Sequence, residues 1–261
     1  MTEFETIRYA SEDGLARITL ARPEKRNAMT LQMWDEIADA AEMAGADLDV
    51  HTVIVQGEGP VFCAGLDLGA VGELASLRGT KLRSFIKTAQ RPYLLLARLG
   101  KPTIAAVQGH AVGAGFQLAL ACDLRVVAND VKFGMLEARY GLIPDLGGIH
   151  HLARLVGPAQ AKELVWTTRL VEAEEAERIG LVNRVVAPDQ LATTAEQLAA
   201  ETMAFSPTAA RLVKQLVSRA HETDIELEFE READAQTQAL DSEDHQESVA
   251  AFFEKRAPRF R

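Results

Sequence analysis

The chain of 261 residues is poor in cysteine and in positive charge. It has two cysteines, Cys63 and Cys122, and 28 Lys and Arg against 38 Asp and Glu, for a formal net charge of −10. The cysteines lack metal or redox spacing and sit in apolar stretches, so they read as small core residues of a reducing compartment. An acidic balance without a basic run excludes nucleic acid as an expected partner, because phosphates demand a basic face. A small anionic ligand stays compatible, given local positive charge. The opening "MTEFETIRYA" has no apolar segment of a secretory signal. No uninterrupted hydrophobic run is long enough for a bilayer. The nearest, 103–122, is broken by Gln108, His110, Gln117 and several glycines. A soluble, cytoplasmic protein without membrane contact is the expectation. Two nucleotide signatures are missing as well: there is no GxGxxG and no Gly-Lys-Ser/Thr. His110, His150 and His151 lack the helical His-x-x-x-His pattern, so no metal is expected.

What is present is a globular composition, 48% hydrophobic, with no low-complexity segment. Short β-rich runs at 16–22, 51–57, 103–109, 124–128 and 131–135 predict strands. Thr30 is placed to cap a helix over 31–44, with Leu31, Trp34, Ile37, Ala38 and Ala41 on one stripe. A further helix is expected over 81–99, stopped by Gly100 and Pro102. The mixed stretch 69–83 reads as a mobile loop. After an irregular "GLIPDLGG" at 141–148, helices are predicted over 148–156, 158–168, 172–179 and 188–205, with a strand at 181–186. Ser206-Pro207 then opens a wholly helical tail. The chain divides into a strand-and-helix core, 1–205, and a helical appendage, 206–261.

The stretch "GHAVGAGFQLALACD", 109–123, carries the chemistry. A strand, a bare turn and an apolar helix are predicted here. Gly113 and Gly115 strip the helix mouth of side chains, so a ligand can approach backbone N–H groups that lack partners and sit at the positive end of the helix dipole. That suits an anion or a developing oxyanion. Close packing of helix on strand would require the same glycines. A second small-residue turn, "FCAGLDL" at 62–68, follows another buried strand and could bring a second N–H to the same point.

With "RPEKRNAMT", "KPTIAAVQGHAVGAGFQLALACDLRVVA", "GLIPDLGGIHHLARLVG", "AEEAERIGLVNRVV" and "AAFFEKRAPRF", these blocks resemble the enoyl-CoA hydratase/isomerase (crotonase) superfamily over nearly the whole chain. The resemblance implies an α/β fold, a spiral of ββα units, with C-terminal helices that build homotrimers or hexamers. It implies an acyl-CoA thioester as substrate and no cofactor beyond the coenzyme A that the substrate carries. It assigns the oxyanion-holding N–H groups to Leu66 and Ala114, the latter where the family more often has glycine, with Gly113 beside it. Ala64, Lys25, Arg26 and Lys255 become the coenzyme A contacts, Lys255 reaching toward a neighbouring subunit.

The acid–base residues distinguish reactions. By the resemblance, hydratases hold water between two glutamates. The first position is Gln117 here; the second is kept as Glu137. An amide can hold water but cannot take its proton. Asp145 falls where dienoyl-CoA isomerases and some relatives carry an essential aspartate. The expectation is therefore double-bond isomerisation of an enoyl- or dienoyl-CoA by Glu137 and Asp145, with Gln117 lining the pocket. The alternatives are hydration of a 2-enoyl-CoA by Glu137 with Gln117, and acyl-CoA binding without catalysis. Asp67 and Asp123 are expected to bond nearby backbone.

Overall fold

The computed structural model describes residues 4–67, 69, 70, 72, 76–220 and 224–260. The hairpin β1 (Ile7–Glu12) and β2 (Leu15–Leu20) opens the chain. Its two-residue turn, Asp13-Gly14, holds positive φ at both positions, the geometry that matches strand twist. Then follow β3 (Thr52–Gly57), β4 (Thr103–Val107), β5 (His110–Val112), β6 (Leu124–Ala128), β7 (Lys132–Gly134), β8 (Val171–Glu172) and β9 (Arg184–Val186). The large sheet runs β1-β2-β3-β4-β6-β9, parallel from β2 onward. Parallel strands are covered on both faces, which is why β3 and β4 are nearly continuous apolar runs. Val53, Val55, Ala105, Val107 and Val127 face one core; Ile54, Ile104, Ala106, Val126 and Ala128 face the other.

The helices are α1 (Leu31–Ala46), α2 (Gly79–Arg98), α3 (Ala114–Ala121), α4 (Gly148–Val156), α5 (Pro158–Thr167), α6 (Ala173–Arg178), α7 (Leu191–Met203), α8 (Pro207–Val217), α9 (Ile225–Leu240) and α10 (Glu243–Glu254). Leu191, Ala195, Leu198 and Ala199 of α7 form the stripe that closes the second core. Thr30 caps α1 by accepting from Met33 N.

A small second sheet, β5-β7-β8, makes the fold a spiral. Each turn sends one strand to the large sheet and the next few residues to the small one. β3 is followed by Cys63, which bridges Ala111 of β5; β4 is followed by β5, and β6 by β7. Cys63, Ala111 and Phe133 thus sit side by side on successive turns. This is the ββα spiral expected from the resemblance.

In the C-terminal helices, Lys214 of α8 reaches Asp123 at 2.7 Å and the carbonyls of Leu96 and Lys101 at 3.3 and 3.0 Å. Asp244 of α10 accepts from Ser206 Oγ and Thr208 N at the start of α8. α9 and α10 expose Ile225, Leu227, Phe229, Phe252 and Phe253, each at least half accessible.

The structure departs from expectation in three places. β1 is an exposed edge strand with one buried residue, Ile7, so it lacks the apolar alternation that reveals strands. The predicted strand at 181–186 shrinks to Arg184–Val186. Residues 69, 70, 72 and 76 are helical and α2 begins at Gly79, so the described part of 69–83 is helical apart from 77 and 78; residues 71 and 73–75 lie outside the described residues.

Gly115 seats α3 against the first turn of the spiral. A Cβ there would fall 2.5 Å from Cys63 Cβ and 2.7 Å from Cys63 O. Gly115→Ala is expected to cost about 1–3 kcal/mol in urea unfolding, the usual penalty of overpacking. An unchanged midpoint would mean that α3 does not bear on the Cys63 turn.

Candidate active site

Three turns leave one edge of the small sheet, and they carry Leu66, Ala114 and Glu137. The first two touch. A Cβ on Gly65, φ +93°, would lie 3.9 Å from Ala114 N, and one on Gly113, φ +53°, would lie 4.0 Å from Gly65 Cα. Both positive φ values favour glycine, and at Gly65 a Cβ would also crowd Val112 O at 3.1 Å. Leu66 is bracketed by bonds to Met29: Met29 N donates to Gly65 O at 2.7 Å, and Asp67 N donates to Met29 O at 2.8 Å. In that parallel bridge the N–H of Leu66 itself points away from Met29. Ala114 is the first residue of α3, and its N–H is one of the orphans of a helix start. Gly113 N, donating to Gly134 O at 2.8 Å, fixes the turn. Among the described residues neither the Leu66 nor the Ala114 N–H has an acceptor. Two such adjacent donors can hold an oxygen that gains negative charge. At the far end of α3 the buried Arg125 guanidinium donates to Cys122 O at 2.8 Å and Ala119 O at 3.3 Å, satisfying carbonyls the helix leaves open, and to Leu181 O at 2.8 Å.

The carboxylate of Glu137 lies beside this turn. Its Oε1 would be 3.5 Å from a Cβ on Gly113. Oε1 accepts from Gln117 Nε2 at 2.8 Å, and Oε2 is buried with no hydrogen-bond partner among the described residues. Burial pushes the Glu137 carboxyl above the usual glutamate range, and the nearby Asp145 charge adds to the rise. Gln117 differs from expectation. It is buried on α3, and its Oε1 accepts from Leu146 N at 2.9 Å and Gly148 N at 3.1 Å. Two backbone donors fix that oxygen, so Nε2 must face Glu137. Gln117 is the back wall that aims Glu137, rather than a group open to the pocket.

Asp145 is half-buried in the irregular stretch before α4, and burial raises its carboxyl too. Its backbone carbonyl accepts from Gln90 Nε2 of α2 at 2.6 Å. Tyr93 of α2 donates to Ala114 O at 3.2 Å. A carboxyl of raised pKa beside the two amides, with a second one close enough to influence it, can move protons on a carbon acid whose carbonyl the amides hold.

The basic loop lies against the Leu66 turn, since Ala64 N donates to Arg26 O at 2.9 Å. Lys25 and Arg26 are exposed. Asn27 holds the loop from inside: fully buried at φ +53°, it accepts from Arg22 N and donates to Glu58 O and Val61 O. Arg22 pairs with Asp67 at 3.1 Å, which accepts from Gly69 N, so Asp67 is structural as expected. A cavity of about 350 Å³ opens here, lined by Arg22, Thr30, Gln32 and Asp67 among others. Asp123 is structural likewise, accepting from Thr103 N and Oγ1. Lys255 ends α10, exposed, its side chain without a partner among the described residues. Among the described residues no cluster of His, Cys, Asp and Glu is arranged to hold a metal. Burial lowers His151 to about 4, so it stays neutral. No described helix is long and apolar enough to cross a membrane.

Asn27, Gln90, Tyr93 and Arg125 escaped the sequence reading. Asn27 alone carried a signal, as a turn-forming residue before the α1 cap; Gln90 and Tyr93 sit in a helical stretch and Arg125 in a strand, and neither pattern betrays a role.

The enoyl-CoA hydratase/isomerase family model matches residues 10–261. The chain is 36% identical over 258 residues to the crotonyl-CoA hydratase of Syntrophomonas wolfei, with 98% of each covered. The crystal structure of an enoyl-CoA hydratase from Bacillus anthracis matches with a TM-score of 0.91 at 31% identity, over 98% of this chain and 99% of that one. A Thermobifida fusca structure in complex with acetoacetyl-CoA matches with a TM-score of 0.83 at 37% identity, over 90% of this chain and 94% of that one. With the spiral fold and the paired turns, this places the chain in the enoyl-CoA hydratase/isomerase family of the crotonase superfamily, as an acyl-CoA enzyme.

Proposed function

We propose that the enzyme shifts a double bond in an enoyl- or dienoyl-CoA through a thioester enolate. The observation that carries this reading is the locked amide of Gln117, which leaves Glu137 and Asp145 as the two carboxyls of the site. The thioester oxygen docks on the N–H groups of Leu66 and Ala114. Glu137, beside the Gly113 turn and with Oε2 unpaired, removes a proton from C2 of a 3-enoyl thioester. The electron pair spreads into a dienolate whose oxygen the two amides hold. Asp145, whose carboxyl burial makes a weaker acid, delivers a proton to C4, and the double bond comes to rest between C2 and C3. One proton leaves and one arrives, the thioester is intact, and the carboxyls re-equilibrate. Losing one oxyanion donor typically costs about 3–4 kcal/mol of transition-state stabilisation.

In this reading Ala64, Lys25 and Arg26 meet the coenzyme A moiety; that a Thermobifida fusca relative was crystallised in complex with acetoacetyl-CoA supports a coenzyme A thioester as the ligand. Lys255 and the exposed apolar residues of α9 and α10 support assembly of residues 206–261 into a homotrimer or hexamer, with Lys255 reaching a neighbour's ligand. Two buried free cysteines suit a cytoplasmic setting. Hydration is the second reading, favoured by the names of relatives such as the Syntrophomonas wolfei crotonyl-CoA hydratase. In it Glu137 activates water alone and Asp145 is dispensable.

Incubation with 2-enoyl-, 3-enoyl- and 2,5-dienoyl-CoA, with products analysed by mass and double-bond position, separates the two. Isomerisation leaves the mass unchanged; addition of water supports hydration. Asp145→Asn is expected to lower isomerase turnover about 10²–10⁴-fold, the scale of general acid–base catalysis. Undiminished turnover would remove Asp145 from the reaction.

Stability against pH tests the raised carboxyls. The folded state holds these protons to higher pH than the unfolded chain does. Their stabilisation is thus complete below the unfolded pKa and is lost as pH rises through the folded one. Glu137→Gln is expected to unfold at higher urea than the parent at about pH 8, with the gap closing toward about pH 4. A gap that opens only in acid would contradict the assignment.

A further inference from the structure

Gln90 and Tyr93 lie three residues apart on α2, and so on one face of that helix. Each reaches the main chain of a different part of the site. Gln90 Nε2 donates to Asp145 O at 2.6 Å, and the Tyr93 hydroxyl donates to Ala114 O at 3.2 Å. Tyr93 is itself aimed. The indole Nε1–H of Trp34, from α1, donates to its oxygen at 3.2 Å, which turns the phenolic proton toward Ala114. Both aromatic residues are buried, and burial keeps the Tyr93 hydroxyl protonated as a donor.

The two carbonyls need such ties for different reasons. Asp145 stands in a stretch with neither strand nor helix to hold it, and the Gln90 amide is a side-chain anchor from a rigid element. Ala114 opens a helix of two turns. Gly113 N, bonded to Gly134 O, holds it on one side, and Tyr93 on its own carbonyl holds it on the other. A misplacement of about 1 Å in such a constellation can cost about 10²-fold in rate.

We propose that Gln90 and Tyr93 are positioning residues, through which one face of α2 sets the distance between the Ala114 amide and the Asp145 carboxyl. This rests on the reading of Ala114 as an oxyanion donor and of Asp145 as an acid–base group. α2 is then the frame on which the two halves of the chemistry are mounted, and neither side chain touches the substrate.

The probe is acetoacetyl-CoA, a β-ketoacyl thioester whose enolate absorbs in the near ultraviolet. The enolate fraction of the bound probe reports the amide donors whatever the natural reaction. Tyr93→Phe is expected to lower that fraction and kcat about tenfold, part of the loss that a 1 Å error brings. The Kd for saturated butyryl-CoA should stay within about twofold, because binding of the coenzyme A moiety does not use Tyr93. Gln90→Leu is expected to lower kcat on the enoyl-CoA that the enzyme turns over while leaving the enolate signal intact. Should Tyr93→Phe unfold because Trp34 loses its acceptor, Trp34→Phe/Tyr93→Phe removes donor and acceptor together and is expected to show the same loss of enolate. Variants that change only the melting temperature, with kcat and enolate fraction at parental values, overturn the proposal. A parent protein that leaves the probe no more enolised than in free solution overturns the oxyanion reading and the Tyr93 half with it; the Gln90 half then stands or falls on the kcat of Gln90→Leu.

Discussion

The register of the small sheet is the constraint on which the site depends. Val112 N donates to Cys63 O at 3.1 Å, Cys63 N to His110 O at 3.0 Å, and Gly113 N to Gly134 O at 2.8 Å. Each bond contributes only about 0.5–1.5 kcal/mol net. Together they align three successive turns of the spiral, so that the residues leaving the sheet arrive at one edge. A slip of a single residue would turn the Leu66 N–H toward the opposite side. Gly115 is the steric counterpart: with no Cβ, α3 closes on Cys63 and brings Ala114 against the Leu66 turn.

The electrostatics of the site run against those of the chain as a whole. The protein is strongly acidic, yet among the described residues the adjacent amides of Leu66 and Ala114 have no acceptor, and Lys25 and Arg26 stand exposed beside the Leu66 turn. Burial disfavours the charged forms of Glu137 and Asp145, so they offset less of the positive field of those amides. Gln117 belongs to the same logic. Its oxygen is taken by Leu146 N and Gly148 N, and its nitrogen supports Glu137. A carboxylate in its place would set oxygen against oxygen, and one of the pair would have to bind a proton. The amide supports Glu137 without adding a further titrating group.

Much of the architecture was legible in the sequence because buried parallel strands and amphipathic helices leave strong patterns. β3, β4 and β6, the Thr30 cap and the helical character of the tail were read closely. β1 was not, since an exposed edge strand shows no alternation. Residues 69, 70, 72 and 76 were misread as loop because Gly69 and Gly72 are weak helix formers. In the site, Leu66, Ala114, Glu137 and Asp145 were named from motif blocks, and the structure brings the first three to one edge of the small sheet. Gln117 was placed at the pocket surface and lies behind it.

By itself the sequence determined the local conformations: the bare turns at Gly65 and Gly113, the helix that begins at Ala114, and the amide in place of an acid at 117. These follow from backbone freedom, capping and side-chain chemistry, which act within a few residues. Only the tertiary structure decided which turns meet, which way Gln117 faces, and that Gln90, Tyr93 and Trp34 tie α1 and α2 to the site. Those contacts join residues tens of positions apart. Most of their partners are backbone carbonyls and amides, which every residue carries, so little in the side-chain pattern marks them before the chain has folded.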